Sequence, residues 1–258
     1  MSLEKKQDGF DRRLEEMGIR IKDANQFKVR EDVFDEVTLL ALYKLVHRKW
    51  LSVMGGPVST GKEANIFYGE RDGAGVAIKI YRIRTANFTT MSSYMTGDRR
   101  FSHVKKSRKD LIFAWTKKEF ANLARAKAAG IPVPGPLVFD RNILLMTFLG
   151  EGERPFPQLR HAELSDPAGV YRKILEYITT LYTGAGLVHG DLSEFNILYG
   201  NQPYLIDMGQ SVTRDHPRAF QFLIRDIRNI NRFFAKRCSI TDERMVFEAV
   251  TGLARGEP

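Results

Sequence analysis

Residues Leu187–Gly209 read LVHGDLSEFNILYGNQPYLIDMG, and the order of polar groups in this stretch decides how the rest of the chain is read. A short apolar run, Leu187-Val188, leads into His189-Gly190-Asp191-Leu192, and Asn196 follows Asp191 by five positions. A second apolar run, Tyr204-Leu205-Ile206, then delivers Asp207. Two carboxylates and an amide, each at the end of a short strand-like run, make a hard oxygen site. Magnesium suits it, because that ion takes few protein ligands and completes its shell with phosphate oxygens and water. Asp and Asn are also common turn formers, and the Asp191–Asn196 spacing alone would carry no more than that. The apolar approaches, the His-Gly-Asp triplet and the second Asp together favour phosphoryl transfer.

Asp, Asn five residues on, then a strand ending in Asp is the order of groups in protein-kinase catalytic loops. In that order Asp191 orients a nucleophile and takes its proton, while Asn196 and Asp207 hold the metal. Upstream, Gly75-Val76-Ala77-Ile78-Lys79-Ile80 alternates as a strand does. It sets Lys79 beside a buried run, where a lysine needs an anionic partner. V-A-I-K is the kinase lysine pattern, whose amine holds the α- and β-phosphates. The acid is expected on a helix over Asp110–Ala129, stopped by Gly130 with Pro132 beyond. Glu119, at mid-helix, is the expected partner, and Asp110 reads as the N-terminal cap.

Gly55–Ala64 reads GGPVSTGKEA, one position short of a Walker A loop, because Glu63 stands where a hydroxyl would meet magnesium. The adjoining residues Ala64–Tyr68 are strand-like, whereas a Walker A loop opens a helix. A small-residue loop between two strands is expected instead, lying over phosphates with backbone N–H groups. Ser59, Thr60, Gly61 and Lys62 are its candidate contacts.

The 258 residues are 43% hydrophobic and 28% charged, enough to bury a core in one large or two small domains. One cysteine, Cys238, excludes an internal disulfide and fits a reducing cytosol, so a cytoplasmic protein is expected. The charged N-terminus is unlike a signal peptide, and no apolar run nears the roughly 18 residues of a membrane span. The net charge of +9 is concentrated. Arg82–Lys109 carries eight Lys/Arg against Asp98, and Arg218–Arg237 carries six against Asp226. Such clusters suit a polyanion such as RNA, or form a solvated face.

Residues 4–50 are expected to form two helices, the second apolar along Val33, Phe34, Val37, Leu40 and Leu45. This extension (1–50) is expected to brace the domain next to it. The basic segment 82–109 has little periodicity and is expected to be mobile near the phosphates, as a phosphoacceptor or RNA contact. Strands are expected at Pro136–Asp140 and Asn142–Leu149, and Thr147-Phe148-Leu149-Gly150 as a crossing that offers backbone groups to adenine. A helix capped by Ser165-Asp166 with Pro167 in its first turn should end near Gly184. Two last helices are expected over His216–Arg237 and Thr241–Ala254.

Ser59–Asn65 (STGKEAN), His189–Leu198 (HGDLSEFNIL) and Ile206–Val212 (IDMGQSV) together resemble the RIO family of atypical serine protein kinases. The segment from Asp215-His216-Pro217 to Phe233-Phe234 is similar to that family as well. The resemblance covers nearly all of the chain after about residue 30. It is closer to the first subgroup, since the residues before Gly55 are too few for the winged-helix domain of the second. It implies an α+β, trimmed two-lobed protein-kinase-like fold. A nucleotide-binding lobe at 51–149 would hold an antiparallel sheet and a helix, and a mostly helical catalytic lobe would occupy 150–258. It implies ATP with Mg2+, Mn2+ being an alternative ion, and serine phosphorylation including autophosphorylation. It also implies work in maturation of the small ribosomal subunit, with pre-ribosomal protein and RNA partners and a monomeric state. By position, Lys79 and Glu119 would form the ion pair, Asp191 would be catalytic, and Asn196 and Asp207 would bind metal. Met146, Thr147, Leu149 and Glu194 would join the loop residues around the nucleotide.

The departures matter too. Gly190 replaces the arginine of H-R-D, Asp207-Met208-Gly209 stands for D-F-G, and no A-P-E comes after it. The 51 residues after Asp207 are too few for the helices that dock a peptide. Gly209 stands where the family leads one to expect serine, and Thr147 where it leads one to expect an acid. Three functions remain open: a RIO-type kinase, an ATP-switched assembly factor on RNA that transfers little phosphate, and a small-molecule phosphotransferase.

Overall fold

The computed structural model describes residues 20–21, 34–83, 88–101 and 107–253. These fall into two compact units. One comprises Met1–Phe88, Lys105–Phe120 and Pro136–Pro155, and the other Thr89–Val104, Ala121–Gly135 and Phe156–Pro258.

The first unit is built on a six-stranded sheet. Its strands are β1 (Arg20–Ile21), β2 (Val53–Thr60), β3 (Ala64–Arg71), β4 (Ala74–Tyr81), β5 (Pro136–Asp140) and β6 (Ile143–Thr147). They are ordered β1-β2-β3-β4-β6-β5, antiparallel throughout except for the β1–β2 pair. β3 and β4 are joined at Asp72-Gly73, both with positive φ (52° and 80°), the backbone that a tight two-residue hairpin needs. Helix α1 (Glu36–His47) packs on the sheet. Leu39, Leu42 and Leu45 join Met54, Phe67, Ile78, Ile80 and Leu145 in one core. Each fully buried leucine stabilises by about 1.5–3 kcal/mol. Polar groups fix its position: Asp35 caps the helix by accepting from Thr38 N, and buried Asn142 donates to Thr38 Oγ1 (2.8 Å) and Tyr81 O (2.9 Å). The helical brace is therefore part of the sheet's own core. Leu40 departs from the expected apolar face and is 54% exposed, because Leu39 and Leu42 take the inward positions. Where the first helix was expected, Arg20–Ile21 pairs with Val53–Met54 as strand, and the remainder of that helix lies outside the described residues.

The second unit is mainly helical. Helix α2 (Phe88–Met95) and a 3-10 turn (Arg99–Phe101) precede α3 (Arg108–Ala128), whose last residues belong here. The short strand pair β7–β8 (Gly150–Glu151 and Arg154–Pro155) closes the first unit's share of the chain. Then come α4 (Pro167–Thr183), β9 (Leu187–Val188), β10 (Ile197–Tyr199), β11 (Pro203–Leu205), β12 (Val212–Thr213), α5 (Ala219–Phe234) and α6 (Glu243–Thr251). Ile174, Ile178, Leu181, Leu223, Ile227, Ile230, Phe234 and Val250 are buried on the helices Pro167–Thr183, Ala219–Phe234 and Glu243–Thr251, which pack on one another. β10 pairs with β11 and β9 with β12, both antiparallel.

Segment 82–109 holds local structure that its sequence does not announce. Its residues 89–101 form helix and 3-10 turn that pack within the second unit, where Tyr94 stacks on Phe222 and His216 Nε2 lies 2.9 Å from Thr96 O. Asp110 is not the N-cap of α3. Ser107 takes that place, its hydroxyl accepting from Asp110 N and donating to the Asp110 carboxylate, so Asp110 is the reciprocal partner in the first turn.

Candidate active site

In the first unit, Lys79 lies in the middle of β4, flanked by Ile66 on β3 and Leu144 on β6. Its ammonium is nearly buried and lies 2.7 Å from Glu119 Oε1, itself 1% exposed on α3. Tyr81, two residues along the same strand face, donates its hydroxyl to Glu119 Oε2. Both carboxylate oxygens are thus occupied, which holds Glu119 in one rotamer and Lys79 with it. A buried pair of this kind gains little over an apolar pair, but removing one partner costs about 3–5 kcal/mol, because the other charge stays behind.

The turn Gly61–Glu63 between β2 and β3 leaves Ser59, Thr60, Gly61 and Lys62 exposed. Asn65, fully buried at the start of β3, accepts from Gly61 N (3.3 Å) and from Arg82 (3.1 Å), pinning the turn from beneath. Met146 is buried and Thr147 half-buried at the end of β6, and Phe148 N bonds Gly75 O (3.2 Å) as the chain leaves the sheet toward Leu149 and Gly150.

In the second unit, β9 runs into His189. The ring is buried, with Nε2 3.0 Å from Ile206 O, while Nδ1 accepts from Asp191 N at 3.3 Å. Those two bonds require the neutral ring with its proton on Nε2, and burial holds its pKa down at about 4. His189 thereby ties the Asp191 loop to the residue preceding Asp207. Gly190 has φ +82°, and a Cβ there would meet Gln210 O at 2.9 Å. A left-handed, crowded backbone explains why glycine stands here and arginine does not. Asp226, buried on α5, accepts from Gly190 N (2.7 Å) and Leu192 N (2.8 Å), bracketing Asp191. Burial pushes the Asp226 carboxyl up to about 7 despite those two donors and the neighbouring Arg225.

Asn196 donates to Asp191 O (2.7 Å) and Asp191 Oδ2 (3.1 Å), which commits its nitrogen and turns its amide oxygen elsewhere. Asp207 has φ +61°, a left-handed conformation that Asp tolerates and that recurs at functional sites. The Asp191 carboxyl is raised, first by burial and then by the Asp207 charge, against the opposing pull of Arg225 and the Asn196 bond. Two carboxylates that repel each other, with the Asn196 amide on one of them, form a donor set that a hard divalent cation would relieve. No group of three or more His, Cys, Asp or Glu able to hold a metal unaided occurs among the described residues, so such a cation would need outside oxygens. Glu194 contributes a buried carboxylate oxygen that has no hydrogen-bond partner.

Reading the sequence alone singled out Lys79, Glu119, Asp191, Asn196 and Asp207. It missed the residues that hold them: Tyr81, Asn65, Asp226, Asn229, which donates to Leu192 O, and Asn122, whose amide donates to Met208 O (2.8 Å) and Ser211 O (2.9 Å). Asn65 stood within a recognised string, and Asp226 was visible as a lone acid on a basic amphipathic helix. The others gave no local signal.

A strand lysine held by a helix glutamate, with Asp191 and Asn196 carried on the loop from β9 to β10 and Asp207 on the loop from β11 to β12, defines the kinase-like class of phosphotransferases. The RIO domain matches residues 65–246. The chain is 44% identical over 244 residues to the RIO-type serine/threonine-protein kinase Rio1 of Haloferax volcanii, covering 94% of this chain and 84% of that one. It is 38% identical to serine/threonine-protein kinase RIO1 of Homo sapiens, covering 90% of this chain but 42% of that longer one. Among solved structures it is similar to the Rio2 kinase of Chaetomium thermophilum, crystallised as an ADP/Mg2+-phosphoaspartate complex. That match has a TM-score of 0.66 and 27% identity, over 85% of this chain and 67% of that chain. The chain belongs to the RIO family of serine/threonine protein kinases. No described helix is long and apolar enough to cross a membrane.

Proposed function

We propose that this chain transfers the γ-phosphate of ATP to serine, its own included, with Mg2+ held by Asn196 and Asp207. The observation that carries the reading is the buried Lys79–Glu119 pair at 2.7 Å, an ammonium held ready for an anion at a strand centre. Lys79 would hold the α/β-phosphates and the turn Ser59–Lys62 would cover them. Bound magnesium would neutralise charge as the β–γ bridge breaks. Asp191 would orient the acceptor hydroxyl and take its proton, its raised carboxyl affinity for protons favouring that task. Met146, Thr147 and Leu149 would lie along adenine, and Glu194 beside the metal ligands. The acceptors would be proteins of the maturing small ribosomal subunit, with the basic clusters touching RNA, in a cytoplasmic monomer.

A second reading is favoured by the phosphoaspartate in the Chaetomium Rio2 complex. Here Asp207 itself would take the γ-phosphoryl group: a carboxylate oxygen bonds phosphorus as the bond to ADP breaks, and water later releases phosphate. The test is phosphate fate from γ-labelled ATP, wild type beside Asp191→Ala and Asp207→Ala. Acid-stable label on serine, lost in both variants, supports the kinase. Base-labile label lost only with Asp207 supports the switch. Nucleotide binding with neither label nor release overturns both.

A further inference from the structure

The segment after β4 shows no periodicity in sequence, yet its described part reaches both functional loops of the second unit. Tyr94, on α2, is buried and stacks on Phe222 of α5, ring centroids 5.0 Å apart at 27°. Its hydroxyl accepts from Arg225 at 2.9 Å, and the same guanidinium nitrogen donates to Gly190 O, the peptide that precedes Asp191. Arg225 also lies over the Phe222 ring, at 5.0 Å. Six residues after Tyr94, Arg100 makes a second connection. Buried Asp98 receives Arg100 at 2.7 Å, and the guanidinium also donates to Asn122 Oδ1 at 2.9 Å. Asn122 passes its two amide hydrogens to Met208 O and Ser211 O, the carbonyls just beyond Asp207. Between the two connections the chain is seated by His216 Nε2 against Thr96 O and by Gly97, whose φ of +95° leaves no room for a Cβ beside Pro217.

We propose that residues 94–100 are a positioning clamp, in which Tyr94, through Arg225, sets the Asp191 loop and Arg100, through Asn122, sets the Asp207 loop. Ordinary kinases join such loops through the arginine of H-R-D and a long activation segment. Here glycine stands at the arginine position and an upstream segment supplies the polar ties. The two arms are separable: the tyrosine arm bears on the group that orients the acceptor, the Arg100–Asn122 arm on the group that meets the metal.

The inference rests on the phosphotransfer reading for its kinetic test and on backbone protection for an independent one. Tyr94→Phe keeps the stacked ring and deletes only the hydroxyl. It should lower kcat for release of phosphate from γ-labelled ATP roughly ten- to a hundredfold, as displacement of a catalytic group does, with the half-saturating Mg2+ concentration unchanged. Asn122→Ala should instead raise that concentration roughly tenfold, as loss of an outer partner of a metal ligand does. Arg228→Gln, which removes an exposed pair with Glu243 on the same helix as Arg225, should change neither. Hydrogen exchange should quicken at residues 190–192 in Tyr94→Phe and at 208–211 in Asn122→Ala. Equal loss of kcat and metal response in both variants, in step with a lowered melting temperature, overturns the clamp. Unchanged exchange at both loops overturns it too. Should the wild type transfer no phosphate, the functional reading falls, and the exchange result alone decides the clamp.

Discussion

Lowering the pH sets two buried groups of the second unit against each other, and each can be removed singly. His189 titrates at an ordinary 6.5 in an unfolded chain and at about 4 when folded. Between those values the unfolded chain binds the extra proton, so stability falls as pH falls. The interval is worth about 3 kcal/mol at ~1.4 kcal/mol per pH unit. Asp226 is opposite: 3.8 unfolded against about 7 folded, so the folded state holds the extra proton and stability rises as pH falls, by about 4 kcal/mol over its own interval. From about pH 6.5 to about pH 4.5 the two nearly cancel in the wild type. His189→Asn keeps an acceptor for Asp191 N and removes the titrating ring. Its deficit against wild type should shrink by about 2–3 kcal/mol as the pH is lowered across that range. Asp226→Asn should show the opposite tilt, its deficit growing. Both tryptophans, Trp50 and Trp115, lie in the first unit, so intrinsic fluorescence would miss the effect. Urea unfolding read by hydrogen exchange in 187–199 and 219–234 reports the right unit. Deficits that stay constant with pH in both variants would refute the assignment of a neutral His189 and a protonatable Asp226.

The geometry dictates other outcomes. Glu119→Gln leaves the Lys79 ammonium buried without its carboxylate and should cost the first unit about 3 kcal/mol, with nucleotide binding weakened; tryptophan-monitored urea unfolding and ATP titration measure both. Gly190→Arg, which restores the arginine of ordinary kinases, should destabilise by about 1–3 kcal/mol and abolish activity, since φ is +82° and Gln210 O stands 2.9 Å from the new Cβ; a gain in either would refute the backbone argument. Asn142→Ala breaks the ties to Thr38 and Tyr81 and should lower the melting temperature of the first unit while leaving exchange at 190–192 unchanged.

Local chemistry by itself determined much of this protein. Strand alternation around Lys79, apolar runs ending in His189-Gly190-Asp191 and in Asp207, the Asp166-Pro167 helix start and the Gly130 helix stop place most elements within a few residues, because caps and periodicity act over one or two turns. The family and the kinase-like fold class were legible in the same strings, since phosphoryl transfer demands particular groups at particular spacings. What only the tertiary structure decided is how those groups are held. Asp226 lies 36 residues from Gly190, Asn122 lies 86 from Met208, and Arg225 lies 131 from Tyr94. Partners so distant leave no periodic trace. The stretch 82–109 read as having little periodicity for that reason: α2 has eight residues, too short to be helical on its own propensity. Its residues Tyr94, Thr96 and Gly97 are held by Phe222, His216, Pro217 and Arg225, which arrive more than a hundred residues later.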